Sequence, residues 1–191
     1  MKNSTKHKAQ SEKRKVKTQS LKLLVLSFGF ALCALSFSLA NLCYASNEAG
    51  LVRQGNGLYH RGKIDEALKN YNQALTLLPD EPLINFNIGN AYYRKKQYDE
   101  AIKSYEKSLL SSEKGIEAKA NYNIGNCKFR QGKAKESSDT AGAISEYRAA
   151  LDYYKRSIEL DPDDKDAKFN YEFTEKLIKM LMDKMLSLIH I

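Results

Sequence analysis

A glycine at position 55 is answered by another at 89, 34 residues on, and the same residue types follow each at the same offsets. After Gly55 come Ala67, Tyr71, Ala74 and Pro79; after Gly89 come Ala101, Tyr105, Ser108 and Leu109. A period of this length is the mark of one supersecondary unit copied along the chain, and such units bury their apolar faces only against each other. The stretch NFNIGNAYYRKKQ (85–97) returns as NYNIGNCKFRQGK (121–133), which carries the series on to Gly125.

Within a unit the apolar residues fall at three- and four-residue spacing, first Leu51, Gly55, Leu58 and Tyr59, then Ala67, Leu68, Tyr71, Ala74 and Leu75. That periodicity lays one stripe along each of two helices. Gly55 and Ala67 are small because the two helices must approach closely where they cross. Asp65 and Asp99 fall at the positive N-terminus of each second helix. Pro79 ends the first pair, and Pro82 suits the first turn of the next helix. The units are read as 48–81 and 82–115, followed by a third over 116–164.

The third unit is longer. Its first helix is expected over about 116–133, and Ala150, Tyr154 and Pro162 fit the end of its second. Gly132 to Ala150 spans 18 residues, where Gly62 to Ala67 spans five, so about 13 are inserted near 133–148. The insert KAKESSDTAGAISE reads as a short loop capped by Ser137 or Ser138 and an extended second helix. A last helix over 165–185 repeats the start of a unit, with Ala167, Phe169 and Asn170 matching Ala120, Tyr122 and Asn123, but with Glu172 in place of the glycine. It is expected to cap the stack.

The spacing and residue types resemble the tetratricopeptide repeat (TPR). The fold implied is an all-α solenoid of antiparallel helix pairs, about three repeats plus a C-terminal capping helix, behind an N-terminal signal or transmembrane helix. ANYNIGNCKFRQGK, the insert and SIELDPDDKDAKFNYEF are similar to the late repeats of the TPR proteins encoded beside von Willebrand factor A-domain proteins in bacterial aerotolerance (Bat) operons. That resemblance covers about residues 48–185. It implies a membrane-attached von Willebrand factor A-domain protein as the partner.

Charge is distributed unevenly. Residues 1–22 hold eight Lys and Arg against Glu12, which accounts for +7 of the formal +8. The remainder has no basic surplus for nucleic acid. Residues 23–45 contain no charge, the layout of an export signal. Cleavage can follow Ala40 or Ala45, or the run can stay as a membrane anchor, since it is long enough to cross the ~30 Å hydrocarbon core. Cys43 as a lipid acceptor is a weaker third reading, because Leu42 stands where a small residue is wanted. Cleavage and anchoring alike place residues 46 onward outside the cytoplasm, in the periplasm or at the inner membrane. The final string Leu186-Ser187-Leu188-Ile189-His190-Ile191 reads as translated sequencing adapter, the alternative being an apolar last half-turn.

No catalytic or metal-ligating constellation is present in the sequence, so the expectation is a non-catalytic protein without cofactor or metal. Cys127 has no paired histidine, and the acid pairs Asp65-Glu66, Asp99-Glu100 and Asp163-Asp164 sit at helix starts. Tyr92, Tyr93, Tyr98, Tyr105, Tyr153 and Tyr154 fall at core spacing or beside it. In the repeat family the first helices line a concave groove, with the residues two before and one after the glycine facing it. By resemblance these are Asn87, Asn90, Asn123 and Asn126, with Asn56 in the first unit. Asn56, Asn87 and Lys119 fall on three of the five positions of the family's carboxylate clamp, the other two holding Val52 and Asn123. Amide side chains donate and accept, so a ladder of them can hold a peptide backbone. Two readings of these asparagines stay open, groove ligands or repeat consensus, with Ile88, Ile124, Gly89 and Gly125 assigned to packing and the asparagines to no packing demand. The function expected is a protein-interaction adaptor, with an envelope-assembly scaffold or a non-catalytic part of a larger protein as alternatives.

Overall fold

A computed structural model describes residues 47–189, and within them every regular element is an α-helix. The basic segment 1–22 and the uncharged run 23–45 lie outside the described residues. Among the described residues no helix is long and apolar enough to cross a membrane. Seven helices follow in order: α1 over residues 47–60, then α2 (Ile64–Leu77), α3 (Pro82–Arg94), α4 (Tyr98–Ser108), α5 (Lys114–Lys135), α6 (Thr140–Leu160) and α7 (Lys165–Ile189). They pack as antiparallel pairs α1/α2, α3/α4 and α5/α6, with α7 against α6.

The helix boundaries follow from local chemistry. Pro82 stands at the first position of α3, where its missing N–H costs nothing. Asp65 and Asp99 occupy the first turns of α2 and α4, on the favourable end of the helix dipole. The turns that reverse α1 into α2 and α3 into α4 are the same: Gly62 (φ 78°) and Lys96 (φ 59°) are left-handed. The following amides, Lys63 and Gln97, donate back to the carbonyls of Leu58 and Tyr92. That arrangement satisfies the last carbonyls of α1 and α3.

The small residues do what their spacing implies. A Cβ placed on Gly55, Gly89 or Gly125 would stand 2.6 Å from a ring carbon of Tyr71, Tyr105 or Tyr154 respectively. Each unit therefore closes on a glycine-under-tyrosine contact, with Ala67, Ala101 and Ala150 fully buried beside it. Three apolar clusters run along the stack. The first joins α1, α2 and α3 through Leu58, Leu68 and Ile84, the second joins α4 to α5 through Ile102, Ile124 and Cys127 with Phe86 of α3 against it, and Tyr92 packs against both. The third holds Ile144, Tyr147, Ile178 and Leu181, with Met185 at its edge. Of the tyrosines expected at or beside core positions, Tyr105 and Tyr154 are buried, and Tyr92, Tyr93, Tyr98 and Tyr153 are half-buried.

The insertion adds turns to both helices, where the sequence leads one to expect a short loop and an extended second helix. Gly132 occupies the position of Gly62 and Lys96, seven residues after the repeat glycine, yet it lies inside α5 rather than in a turn. A Cβ there would meet the Tyr147 ring at 2.8 Å. Gly132 with Tyr147 thus repeats the contact of Gly125 with Tyr154, seven residues further along α5 and seven back along α6. Both helices are lengthened by about two turns, since seven residues are close to two turns of 3.6. The turn moves to 136–139, and Asp139, not Ser137 or Ser138, caps α6: its carboxylate accepts from the Gly142 amide at 2.8 Å. Glu146 accepts from Lys128 and Lys135, and Tyr147 donates to Glu136, so the added turns are tied across the pair.

The missing glycine of α7 has a simple cause. At 125 a glycine makes room for the tyrosine of the following helix, whereas Glu172 is exposed and meets no such ring. Its neighbours on that face, Lys168 and Glu175, are exposed as well.

Candidate functional site

The repeated Asn-aromatic-Asn-Ile-Gly-Asn can be followed side chain by side chain. Its first asparagine turns inward: Asn85 and Asn121 are buried, and each donates to the carbonyl four residues back, Glu81 at 3.1 Å and Glu117 at 2.9 Å. The isoleucine and glycine are buried in the pair. The last asparagine has a role the sequence reading did not give it. Tyr71 donates to Asn56 Oδ1 at 2.7 Å, Tyr105 to Asn90 Oδ1 at 2.8 Å and Tyr154 to Asn126 Oδ1 at 2.9 Å. The glycine admits the tyrosine ring, and the next residue receives its hydroxyl. Packing does demand a hydrogen-bond acceptor here, because a buried phenol without one is costly.

The middle asparagines link one repeat to the next. Asn123 Nδ2 donates to Asn90 Oδ1 at 3.2 Å. Asn170 of α7 repeats this one unit further on, donating to Asn126 Oδ1 at 3.1 Å and to the Tyr122 hydroxyl at 3.1 Å. The series therefore extends into α7, where the sequence shows the match of Asn170 to Asn123 but not its role. Two further ties repeat with the same period. Arg94 donates to the Tyr59 carbonyl at 2.7 Å, with its guanidinium over the Tyr59 ring, and Arg130 Nε reaches the Tyr93 hydroxyl at 3.4 Å. Lys95 pairs with Asp65 at 2.6 Å and Gln131 with Asp99 at 2.7 Å. The asparagine and arginine contacts hold the first helices α1, α3, α5 and α7 side by side with their asparagines on one face, and the other two contacts tie α3 to α2 and α5 to α4.

The tyrosines fix the asparagine orientations. Burial pushes the Tyr71 phenol up to about 12, helped by the nearby Tyr59. It drives Tyr105 and Tyr154 further in the same direction. These groups remain protonated donors throughout the physiological range, so Asn56, Asn90 and Asn126 keep their oxygens toward the core. Their Nδ2 groups are left facing the other way, as a row of donors at a half-buried surface.

Two hollows lie on this face. Asn56, Asn87 and Asn90 line one of about 190 Å³, together with Tyr59, His60 and Tyr71. Asn126 and Asn170 line the other, also about 190 Å³, with Tyr93, Phe129, Arg130, Phe169 and Phe173 around them. Asn123 sits between the two through its bond to Asn90. Lys119 is exposed and lines neither hollow. Val52, at another clamp position, packs against the first core cluster. The asparagine pattern does not signal the aromatic hollow; Phe169 and Phe173 at i, i+4 on α7 are its available sign.

Among the described residues no cluster of three or more His, Cys, Asp or Glu is placed to hold a metal. Cys127 is fully buried, and desolvation pushes its thiol up to about 12. Thiolate chemistry is therefore suppressed at neutral pH.

Residues 55–96 match the sequence model described as "TPR repeat", and residues 83–110 match "Tetratricopeptide repeat". No curated protein matches the chain significantly. Among solved structures, the first TPR of Spaghetti (RPAP3) bound to the HSP90 peptide SRMEEVD is 22% identical, over 70% of this chain and 94% of that one, with a TM-score of 0.58. The Sgt2 TPR domain from Aspergillus fumigatus is 23% identical, over 69% and 79%, at 0.56. The Yersinia enterocolitica type III secretion chaperone SycD, in complex with a peptide of the translocator YopD, is 18% identical, over 72% and 93%, at 0.52. These likenesses show the fold: the helix pairs form a tetratricopeptide-repeat solenoid.

Proposed function

We propose that this tetratricopeptide-repeat solenoid is a non-catalytic adaptor that holds an extended segment of a partner protein along the face of α1, α3, α5 and α7. The observation that carries the reading is the row of amides at Asn56, Asn90 and Asn126, each oriented by a tyrosine hydroxyl. Donors fixed before the partner arrives lose little freedom on binding. They suit the carbonyls of a peptide backbone, which every sequence presents. Asn87 and Asn123 stand beside the row, and exposed Lys119 adds a cation at its edge. Similar structures whose descriptions name a bound HSP90, HSP70 or YopD peptide support the same use of the fold.

The finer features of the reading rest on sequence. The basic 1–22 and uncharged 23–45 support export or membrane anchoring in the cell envelope. The Bat-operon resemblance supports a von Willebrand factor A-domain partner. The full chain, used as bait in detergent-solubilised envelope beside an Asn87→Ala/Asn123→Ala variant, tests the groove. Partner recovery is expected to fall in the variant, and equal recovery from both proteins would overturn the groove reading. Membrane fractionation of the expressed full chain tests the location, which falls if residues 46 onward are found in the cytoplasm.

A further inference from the structure

The largest exposed aromatic side chains on the described residues lie together. Phe169 and Phe173 of α7 are 67% and 48% exposed, one turn apart and stacked with ring centres at 6.2 Å. Phe173 also meets Phe129 of α5 at 6.0 Å. Nothing in the packing of the solenoid requires two phenylalanines to face outward here, since α7 is secured on its other side by Ile178 and Leu181. The rings wall the hollow of about 190 Å³ at the end of the amide row. An apolar cavity of roughly 150 Å³ accepts a benzene ring, so this one has room for a phenyl or isobutyl side chain.

Charge narrows the ligand further. The lining contains one cation, Arg130, and no acid. Arg130 is exposed, its sole side-chain bond among the described residues is the 3.4 Å contact to the Tyr93 hydroxyl, and it has no carboxylate partner among them. A guanidinium beside an aromatic hollow offers its remaining N–H groups to a carboxylate.

We propose that this hollow is the specificity pocket of the adaptor, taking a phenylalanine- or leucine-sized side chain of the partner while Arg130 pairs with an acidic residue two positions away. Residues two apart lie on the same side of an extended strand, about 6.5–7 Å from each other. The recognised element is thus an apolar residue and an acid separated by one residue. The proposal rests on the peptide-binding reading above and names what that face selects.

Fluorescein-labelled Gly-Ser-Phe-Ser-Glu-Ser-Gly and its reverse order, titrated by anisotropy with the full chain in dodecyl maltoside micelles, provide the test. Replacing the peptide phenylalanine with alanine is expected to weaken binding about ten- to hundredfold. Replacing its glutamate with glutamine weakens binding about three- to tenfold, and that difference disappears in Arg130→Gln. Phe173→Ser removes the preference for phenylalanine; both protein changes are at exposed positions, and unchanged circular dichroism checks the fold. The pocket is overturned if neither peptide order binds, or if the phenylalanine and alanine peptides bind alike. It is also overturned if Phe173→Ser leaves the preference intact. Equal binding of both peptides that is lost in Asn87→Ala/Asn123→Ala removes the pocket and leaves the groove standing; a phenylalanine preference untouched by that variant supports the pocket and takes Asn87 and Asn123 out of the peptide contact.

Discussion

Replacing Gly132 with alanine sets helix propensity against packing at one site. In an open helix the change should stabilise, since glycine is about 1 kcal/mol worse than alanine there. Here the new Cβ would stand 2.8 and 2.9 Å from two Tyr147 ring carbons and 3.1 Å from the Ala143 carbonyl oxygen. The ring has little room to retreat: Tyr147 is fully buried, lies 5.2 Å from Phe129, and is held at its hydroxyl by Glu136. Overpacking of this kind costs about 1–3 kcal/mol. The net expectation is a loss of about 1 kcal/mol, or a fall in Tm of about 2–4 °C for a chain of this size. Gly115 supplies the control within the same helix, because a Cβ there meets nothing within 4 Å. Gly115→Ala should be neutral or stabilising by up to about 1 kcal/mol. Urea unfolding followed by far-ultraviolet circular dichroism measures both. A Tyr147→Leu background tests the cause, since removing the ring should turn Gly132→Ala from harmful to neutral or favourable, a coupling above about 0.5 kcal/mol. Should Gly132→Ala stabilise as much as Gly115→Ala, or the coupling vanish, the second glycine–tyrosine contact is not what sets the α5–α6 packing.

Three more outcomes are expected. Asp139→Ala removes the cap of α6 and should cost about 0.5–2 kcal/mol, while Ser137→Ala and Ser138→Ala stay within about 0.5 kcal/mol; equal effects in thermal melts would contradict the cap. Burial raises Glu146, but hydrogen bonds from Lys135 and Lys128 outweigh it and hold the carboxyl below its ordinary value. That stabilisation is present above the unfolded value of about 4.3 and is lost as pH falls through the lower folded value. Unfolding free energies at neutral pH and about pH 3 should therefore differ less in Glu146→Gln than in the parent, and parallel losses would refute the pairing. Cys127, mapped by peptide mass spectrometry apart from Cys33 and Cys43, should resist iodoacetamide in the folded protein and react once urea unfolds it; its rapid alkylation in the native chain would show that the thiol is accessible.

The helix pairs were legible because their signal is local. A glycine and a tyrosine 16 residues apart recur with the repeat period, and Gly55/Tyr71 and Gly89/Tyr105 pack as that period implies. The asparagines were harder. Asn90 is polar on a helix whose buried residues are already accounted for, so spacing alone marks it as surface; its partner is a hydroxyl 15 residues away that sequence periodicity does not point to. The added turns of α5 are not legible for a related reason. Gly132 occupies the position of the turn residue Gly62, and residue type alone cannot tell a glycine needed for its φ from one needed for its missing Cβ. What distinguishes them is the second tyrosine, Tyr147, seven residues before Tyr154. The aromatic hollow depends on α5 and α7 meeting as α3 and α5 do, which the match of Asn170 to Asn123 implies; the exposure of Phe169 and Phe173 beside it has no period to reveal it.

The doubled glycine–tyrosine contact of α5 and α6 makes the length of this hairpin a stepped quantity. Adding seven residues to one helix rotates its growing end by 700°, only about 20° short of whole turns, and seven on the returning helix bring the chain back with its faces nearly unrotated. Everything after the insert, from Ala150 to the seat of α7, then keeps the orientation it would have had in a unit of ordinary length. An insert of three or four residues in one helix alone would instead turn Tyr154 away from Gly125 or shift it along the axis by about a turn. Such a hairpin can grow like a ladder, by whole rungs, and its tip can project outward without disturbing the stack beneath it.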